Sequence, residues 1–225
     1  MAGRRGAARA VRRLERRDWI EAARQVFATE GVEKVNIVPL SASLGVTRGS
    51  FYWHFGSRQA LLDELVVLWQ QKNTRALVEA ATRPVRDFPE RFMRIMRCWI
   101  DPSLYDPGLD LAMRDWARRD PRALAQVQAA DEERIAAFSR AFEERGESPR
   151  MAFIRARTVY YMQVGYYAVG IAESVAQRLQ FIGEYYEAFV GEPMNAERAQ
   201  EWIRTVASDM AVTGTTVAAP RAGRR

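Results

Sequence analysis

Hydrophobic residues recur at helical spacing along almost the whole chain. A stripe that includes Ile20, Ala23 and Phe27 predicts a helix over residues 18–29 that ends at Gly31. Further helices are predicted over 36–44, 47–55, a long stretch from residue 57, 85–100, 107–120, 121–145, 149–190 (broken near 174–177 or 183) and 196–213. No alternating strand pattern persists, so the predicted fold class is all-α.

Two short helices are predicted between residues 36 and 55, joined by a tight turn at Gly45. Leu40, Phe51 and Phe55 provide the apolar contacts that hold two such helices at a steep angle. This pattern is typical of a helix-turn-helix, whose second helix lies in the major groove of DNA.

The start of the second helix carries groups suited to that groove. Arg48 can pair with the O6 and N7 atoms of guanine, and Gly49 lets the backbone come close to a base. Thr47 and Ser50 offer hydroxyls to a phosphate or a base. The sequence therefore predicts a DNA-reading helix that begins at residue 47.

Residues 16–73 resemble the DNA-binding domain of TetR-family transcriptional regulators. The resemblance is carried by Gly45-Val46, Gly49-Ser-Phe-Tyr-Trp-His-Phe55 and Ser57-Arg-Gln-Ala-Leu-Leu62. It implies that DNA is contacted by Lys34, Asn36, Thr47, Arg48, Gly49, Ser50, Tyr52, Trp53, His54 and Arg58. For Trp53 two contacts remain open, one with a sugar or thymine methyl and one with the protein itself. Val38 and Pro39 depart from the more polar residues usual early in the first helix of the motif.

The resemblance also implies how the rest of the chain is organised. We expect a basic flexible arm over 1–15, the DNA-binding domain over 16–73, a helical regulatory and dimerisation domain over 74–213 and a tail over 214–225. Candidate residues for a ligand pocket are Met93, Met96, Trp99, Met113, Trp116, Phe138 and Phe142. Candidate residues for a dimer interface, on 149–172 and 196–213, are Tyr160, Gly165, Ala168, Trp202, Ile203, Val206 and Met210. For both sets the alternative is packing in the core of a monomer.

The charge of the chain is uneven. Its formal net charge is +6, and residues 1–17 carry seven arginines against one glutamate. The segment from 18 to 220 is mildly acidic. An arginine-rich arm attracts the phosphates of nucleic acid, or it is simply a solvated terminus. Asp101, Asp106, Asp110 and Asp115 form an acidic run that would suit a cationic ligand or a solvated face.

The content of histidine and cysteine excludes several kinds of site. With one of each, His54 and Cys98, the chain cannot supply the three or four such ligands of a zinc site, nor an internal disulfide. We expect no metal and no cofactor. Neither a signal peptide nor a stretch long enough to cross a membrane is recognisable, so a cytoplasmic protein is expected.

Three functional hypotheses follow. The first is a homodimeric repressor, not an enzyme, which a small-molecule effector releases from a palindromic operator on double-stranded DNA. The second is an all-α enzyme or carrier with a carboxylate-lined pocket, and it leaves the helix-turn-helix spacing unexplained. The third is a DNA-binding protein that needs no effector.

Overall fold

Helices in the computed structural model begin where the sequence supplies capping groups. The structure describes residues 14–213, with side chains as far as residue 210. Asp87, Asp106, Asp120 and Ser148 each accept a hydrogen bond from the backbone of the helix that follows, and a proline opens or nearly opens each of these helices. Such caps satisfy amides that otherwise lack a partner.

All regular structure in the described part of the chain is helical, which confirms the predicted fold class. The helices are α1 (Arg16–Glu30), α2 (Ile37–Ser43), α3 (Arg48–Tyr52), α4 (Arg58–Trp69), α5 (Ala76–Thr82), α6 (Phe88–Ile100), α7 (Pro107–Ala117), α8 (Pro121–Glu144), α9 (Pro149–Ala168), α10 (Val175–Gln180), α11 (Ile182–Val190) and α12 (Ala196–Thr213). A short 3₁₀ helix, Val32–Lys34, follows α1, and a π-helical turn, Gln70–Arg75, joins α4 to α5. None of these helices is both apolar enough and long enough to cross a membrane.

The chain divides into two compact units between Leu65 and Val66, a division that falls within α4. The sequence places the boundary eight residues later, at 73/74. The predicted arm and tail lie outside the described residues, except for 14 and 15.

Aromatic side chains form the core of the first unit. Trp19 and Phe27 of α1 are completely buried, together with Phe51 of α3 and with Leu61 and Leu65 of α4. Burying side chains of this size stabilises a small unit by roughly 1.5–3 kcal/mol each. The predicted stripe of the first helix is confirmed at Ala23 and Phe27, whereas Ile20 is only half-buried and the buried Trp19 was not predicted.

The second unit has charged side chains in its interior as well as an apolar core. Arg134 is 0% exposed, and its Nη1 donates to Asp110 Oδ1 at 3.1 Å and to Tyr160 Oη at 2.8 Å. Its Nε and Nη2 donate to Thr74 Oγ1, which belongs to the π-helical turn. Arg134 of α8 is thus hydrogen-bonded to α7, to α9 and to the π-helical turn.

Asp110 has further partners that keep it ionised. Burial would raise the pKa of its carboxyl, but the positive charges of Arg134 and Arg114 hold that pKa below its ordinary value. Trp69 Nε1 donates to Asp110 Oδ1 at 2.8 Å, and Arg114 also binds Asp131 through both terminal nitrogens. The buried charges are therefore paired and hydrogen-bonded, as an interior requires.

Candidate functional site

The turn between α2 and α3 has the geometry that a helix-turn-helix needs. Gly45 adopts φ +69°, a left-handed conformation that a residue with a Cβ rarely takes. The amide of Val46 donates to Ser41 O at 3.0 Å, which closes the turn. The left-handed backbone at position 45 therefore explains why this residue is glycine.

The buried side of α3 fixes how this helix is rotated. Phe51 packs edge-on against Trp19 of α1 and stacks on Phe55, with ring centroids 5.3 Å apart in both pairs. Because α3 contains only five residues, these core contacts rather than its own helical hydrogen bonds hold it in place.

The opposite side of α3 is open to solvent. Arg48 is exposed, Tyr52 is 47% exposed and Trp53 is 87% exposed. Arg48 Nη2 donates to Tyr52 Oη at 3.0 Å, and the guanidinium lies 5.6 Å from the centroid of the tyrosine ring. These contacts orient a cation and one aromatic ring on this surface. Trp53 does not pack on the protein, so the structure does not support the second of the two contacts that the sequence left open, and the contact with a sugar or thymine methyl stays a prediction.

Gly49 stands on the same surface without a conformational requirement for glycine. Its φ is not positive, and a Cβ added there would meet only Thr47 Oγ1, at an ordinary 3.6 Å. The fold therefore accepts a side chain at this position. What the absent side chain provides is close access to the backbone from outside.

The other predicted contact residues occupy several environments. Lys34, Asn36 and Thr47 are exposed, whereas Ser50 and His54 are half-buried. Asn36 and Thr47 stand at the N-caps of α2 and α3, but neither side chain makes the capping hydrogen bond. Asn36 Nδ2 instead donates to Glu33 O at 2.7 Å, so this side chain shapes the entry to α2.

Arg58 has a role inside the first unit that differs from the phosphate contact implied by the resemblance. Its Nε donates to Val35 O at 2.6 Å and its Nη2 to Val32 O. These carbonyls belong to the connection between α1 and α2, so Arg58 fastens the beginning of α4 to that connection. Two sides of its guanidinium are therefore used by the fold.

Arg16 is a positioning residue that the sequence singles out only as one of the seven arginines of residues 1–17. Its Nη1 donates to His54 O and its Nη2 to Glu64 Oε1, both at 2.6 Å. The guanidinium also lies 4.2 Å from the centroid of the Phe55 ring. Arg16 thus holds the C-terminal end of the reading helix, and its place in the first turn of α1 is the signal that could have separated it from the arm.

The predicted pocket residues are mostly packed interior. Met93, Trp99, Met113, Trp116, Phe138 and Phe142 are buried and do not line a small cavity in the second unit that is bounded by α6, α9, α10 and α11. Met96 does line it, with Gln163, Tyr166 and Arg178 among the other lining residues. The cavity measures about 30 Å³. That volume accommodates water, whereas pockets for small molecules measure about 300–1,000 Å³.

The predicted acidic run does not form a face toward a ligand. Asp106 caps α7, Asp110 is in the buried network and Asp115 pairs with Arg119. Asp101 accepts hydrogen bonds from the amide and the hydroxyl of Ser103. Each carboxylate has a local partner, which corrects the hypothesis of a shared cation site.

Several predicted dimer residues are used within one chain. Tyr160 is 1% exposed and its hydroxyl donates to Asp131, while Val206 and Met210 pack with Ile100 and Leu179. Gly165, Trp202 and Ile203 are half-buried and Ala168 is exposed. The large apolar side chains that α9 exposes are Met151, Phe153, Ile154 and Tyr161. Sequence periodicity could not separate these from the buried set, because α9 is apolar around much of its circumference.

The single cysteine lacks the properties of a nucleophile. Cys98 is buried in α6, and burial raises the pKa of its thiol to about 12. The thiol is therefore protonated at neutral pH and far less reactive than a thiolate.

Comparison with known proteins identifies the first unit. Residues 20–65 match the family model described as bacterial regulatory proteins, tetR family. Over 50 residues the chain is 44% identical to the HTH-type transcriptional regulator TtgR of Pseudomonas putida, an alignment that covers 20% of this chain and 24% of TtgR. The curated relatives are thus matched over about a quarter of their length.

Solved structures extend the similarity of fold to most of the chain. The ketosteroid transcriptional regulator KstR2 of Mycobacterium tuberculosis matches with a TM-score of 0.58 and 16% identity, over 80% of this chain and 95% of KstR2. The reduced form of NemR from E. coli matches with a TM-score of 0.53 and 16% identity, over 91% and 98% of the two chains. At such identities the likeness concerns the fold: an N-terminal helix-turn-helix followed by a helical second part.

Proposed function

Because residues 20–65 match the tetR family model and solved regulators share the fold of most of the chain, we propose that it is a TetR-family regulator and a homodimeric repressor of transcription. In this proposal it binds a palindromic operator on double-stranded DNA in the cytoplasm, and a small-molecule effector releases it. We assign it no enzymatic activity.

The exposed side of α3 is the observation that carries this proposal. Arg48, Tyr52 and Trp53 stand out from a short helix whose other side is anchored by Phe51. A helix presented in this way enters the major groove, where Arg48 can form a bidentate pair with guanine. The backbone at Gly49 comes close to a base edge, and Trp53 packs on a sugar or a thymine methyl.

A second copy of the chain follows from how a palindrome is read. Two recognition helices must lie about 34–36 Å apart to enter successive major grooves. We propose that the exposed apolar side of α9 pairs with its copy, centred on Ile154 and Tyr161, which are 51% and 44% exposed. Arg157 lies over the rings of both Phe153 and Tyr161, at 5.2 Å from each centroid, so this side is preordered for packing.

Release by an effector is then a coupling between two binding equilibria. An effector that prefers a conformation with the wrong spacing of recognition helices weakens DNA binding by some factor. DNA must weaken effector binding by the same factor. The proposal therefore predicts reciprocal effects in the two titrations.

Selection from random duplex DNA tests the proposal directly. The full chain should enrich a palindromic site at moderate salt, and sedimentation should show a dimer. Enrichment of no common site would overturn the regulator proposal. Enrichment of a site that no small molecule ever releases would leave a DNA-binding protein without an effector.

The variant Arg48→Ala tests which residue reads the sequence. Because it removes a base contact from an exposed side chain, binding to the selected site should weaken by about 1–3 kcal/mol, and one base position should lose its preference. Fluorescence anisotropy with the selected site and its single-base variants measures both effects. Arg17→Ala, which removes an exposed arginine of α1, is the matched control and should keep the preference at every position.

A further inference from the structure

The cavity of the second unit has an apolar side and a polar side. Met96, Ile100, Met162 and Ile182 form the apolar side, contributed by α6, α9 and α11. Gln163 and Tyr166 of α9, Arg178 of α10 and Glu173 before α10 form the polar side. This division resembles the surface of a molecule with an apolar body and one polar end.

Gln163 presents an amide nitrogen without a well-formed hydrogen bond. The side chain is 4% exposed, and its Nε2 makes no hydrogen bond within 3.5 Å among the described residues, although the amide lies close enough to the Tyr167 hydroxyl to offset part of the rise that burial causes in the pKa of that phenol. Its Oε1 faces Arg178 Nη2 at 3.5 Å. Buried amide groups are nearly always paired, so an amide nitrogen without a well-formed bond that lines a cavity indicates an acceptor from outside the chain, either a water molecule or a group of a ligand.

Arg178 is a half-buried cation whose charge is not matched by a carboxylate. Its Nη1 donates to Trp99 O at 2.8 Å, and its guanidinium lies 4.8 Å from the Tyr166 ring centroid. It forms no ion pair within the described part of the chain, unlike the half-buried Arg114 and Arg155, which bind Asp131 and Glu147. A partly desolvated guanidinium of this kind favours a bound anion.

The one carboxylate of the cavity is already engaged. Tyr166 Oη donates to Glu173 Oε2 at 2.8 Å. This hydrogen bond fastens the segment 169–174, which carries no regular structure beyond residue 170. Glu173 therefore belongs to the wall of the cavity, and the donors of Gln163 and Arg178 remain directed to a different acceptor.

We propose that this cavity is the effector site and that it takes a largely apolar carboxylic acid, whose carboxylate accepts hydrogen bonds from Gln163 Nε2 and Arg178. The proposal rests on the proposed function in that it assumes an effector. The apolar body of the acid lies against Met96, Met162 and the ring of Tyr166. Because the cavity now measures about 30 Å³, binding displaces the flexible methionines and the segment that Glu173 anchors.

Calorimetry with two matched pairs of probes tests the ligand class on the full chain without DNA. The probes are 2-naphthoate against 2-naphthylmethylammonium, and octanoate against octylammonium. At least one acid should bind, and about tenfold or more tightly than its amine. Binding of neither acid, or equal binding of an acid and its amine, would overturn the proposal, as would preference for the amine through Glu173.

Two variants locate the carboxylate. Arg178→Gln and Gln163→Leu should each weaken binding of the acid about tenfold or more, because each removes a donor to a charged group. Arg204→Gln and Gln180→Leu change exposed residues of α12 and α10 and should leave the affinity unchanged. Circular dichroism checks the fold; if Gln163→Leu unfolds, the comparison of Arg178→Gln with Arg204→Gln decides. Equal affinity in those two variants would contradict the site.

The outcome is separable from that of the regulator proposal. Enrichment of a palindromic DNA site with no acid bound overturns this inference alone. Binding of an acid, sensitive to Arg178→Gln, with no DNA site enriched overturns the regulator proposal and keeps the ligand site.

Discussion

The two units of this chain differ in the kind of side chain that fills their interiors. In the first, Trp19, Phe27 and Phe51 fill the interior, whereas its described arginines are exposed or half-buried. In the second, Arg134 and Asp110 are buried among aromatic side chains and bonded to each other. The first unit therefore depends mainly on shape and apolar burial. The second also depends on a set of polar partners that must all be present.

Removal of the buried cation should have the largest effect on stability. Arg134→Met leaves a side chain of similar length but takes one positive charge from Asp110 and the donors from Thr74. Breaking a buried pair by removing one partner costs about 3–5 kcal/mol. Urea denaturation followed by circular dichroism measures the free energy of unfolding of the second unit.

The control for this variant is an arginine of the same unit on its surface. Arg119 pairs with Asp115 while 62% and 51% of the two side chains are exposed, and such pairs contribute about 0–1 kcal/mol. Arg119→Met should therefore be nearly silent. Equal costs at positions 119 and 134 would show that the buried network does not distinguish the second unit.

The network also shows where sequence reasoning reaches its limit. Helical spacing and capping residues predicted the element order, and α12 has the predicted bounds, 196–213. The partners of Arg134, however, lie 24 to 60 residues away in the chain, at Asp110, Tyr160 and Thr74. Periodicity assigns a residue to a face of a helix but does not say which distant side chain meets it there.

The same limit explains the outcome for the candidate sites. The motif from 36 to 55 is local, so its spacing sufficed to predict which side of α3 is exposed. The cavity joins side chains from several helices, and among its residues only Met96 was predicted. The π-helical turn at 70–75 likewise depends on tertiary packing, and propensity alone did not indicate it. The predicted break of 149–190 is present, but it begins earlier than predicted, after Ala168, and α10 starts at Val175.

Within the first unit, replacing Arg58, which is hydrogen-bonded to two backbone carbonyls, should lower the stability more than replacing an exposed arginine. Arg58→Met removes both donors that bind Val32 O and Val35 O, and unpaired carbonyls at a partly buried site cost about 1–3 kcal/mol. Thermal unfolding should show the loss, and DNA affinity should recover at lower temperature because the reading surface is intact. Arg17→Met is the control, since 76% of that side chain is exposed. A variant with unchanged stability and lower affinity would instead favour the phosphate contact.

Two glycines of the motif should respond in opposite directions to the same substitution. Gly45→Ala forces a Cβ into a left-handed conformation and should destabilise the unit by about 1–2 kcal/mol. Gly49→Ala, inside α3, should stabilise it by about 0.5–1 kcal/mol because alanine is the better helix former. The alanine at 49 should nevertheless weaken binding to the selected operator, since it separates the backbone from the base. Melting temperatures and anisotropy titrations of the two variants measure this contrast, and full affinity in Gly49→Ala would mean that the backbone there does not approach DNA.

The smallest effect on stability is expected at the most exposed tryptophan. Trp53 is 87% exposed, in contrast to Trp19 of the same unit, which is completely buried. Truncation of a side chain that buries little surface changes the free energy of unfolding by about 0.5 kcal/mol or less. Trp53→Ala should therefore leave the melting temperature nearly unchanged while it lowers the affinity for operator DNA. If neither quantity changes, Trp53 does not contact DNA; if stability falls, the ring packs on the protein and the reading surface is smaller than proposed. Loss of DNA affinity without loss of stability would mark the exposed ring of Trp53 as part of a recognition surface, whereas a core ring such as Trp19 would lose both together.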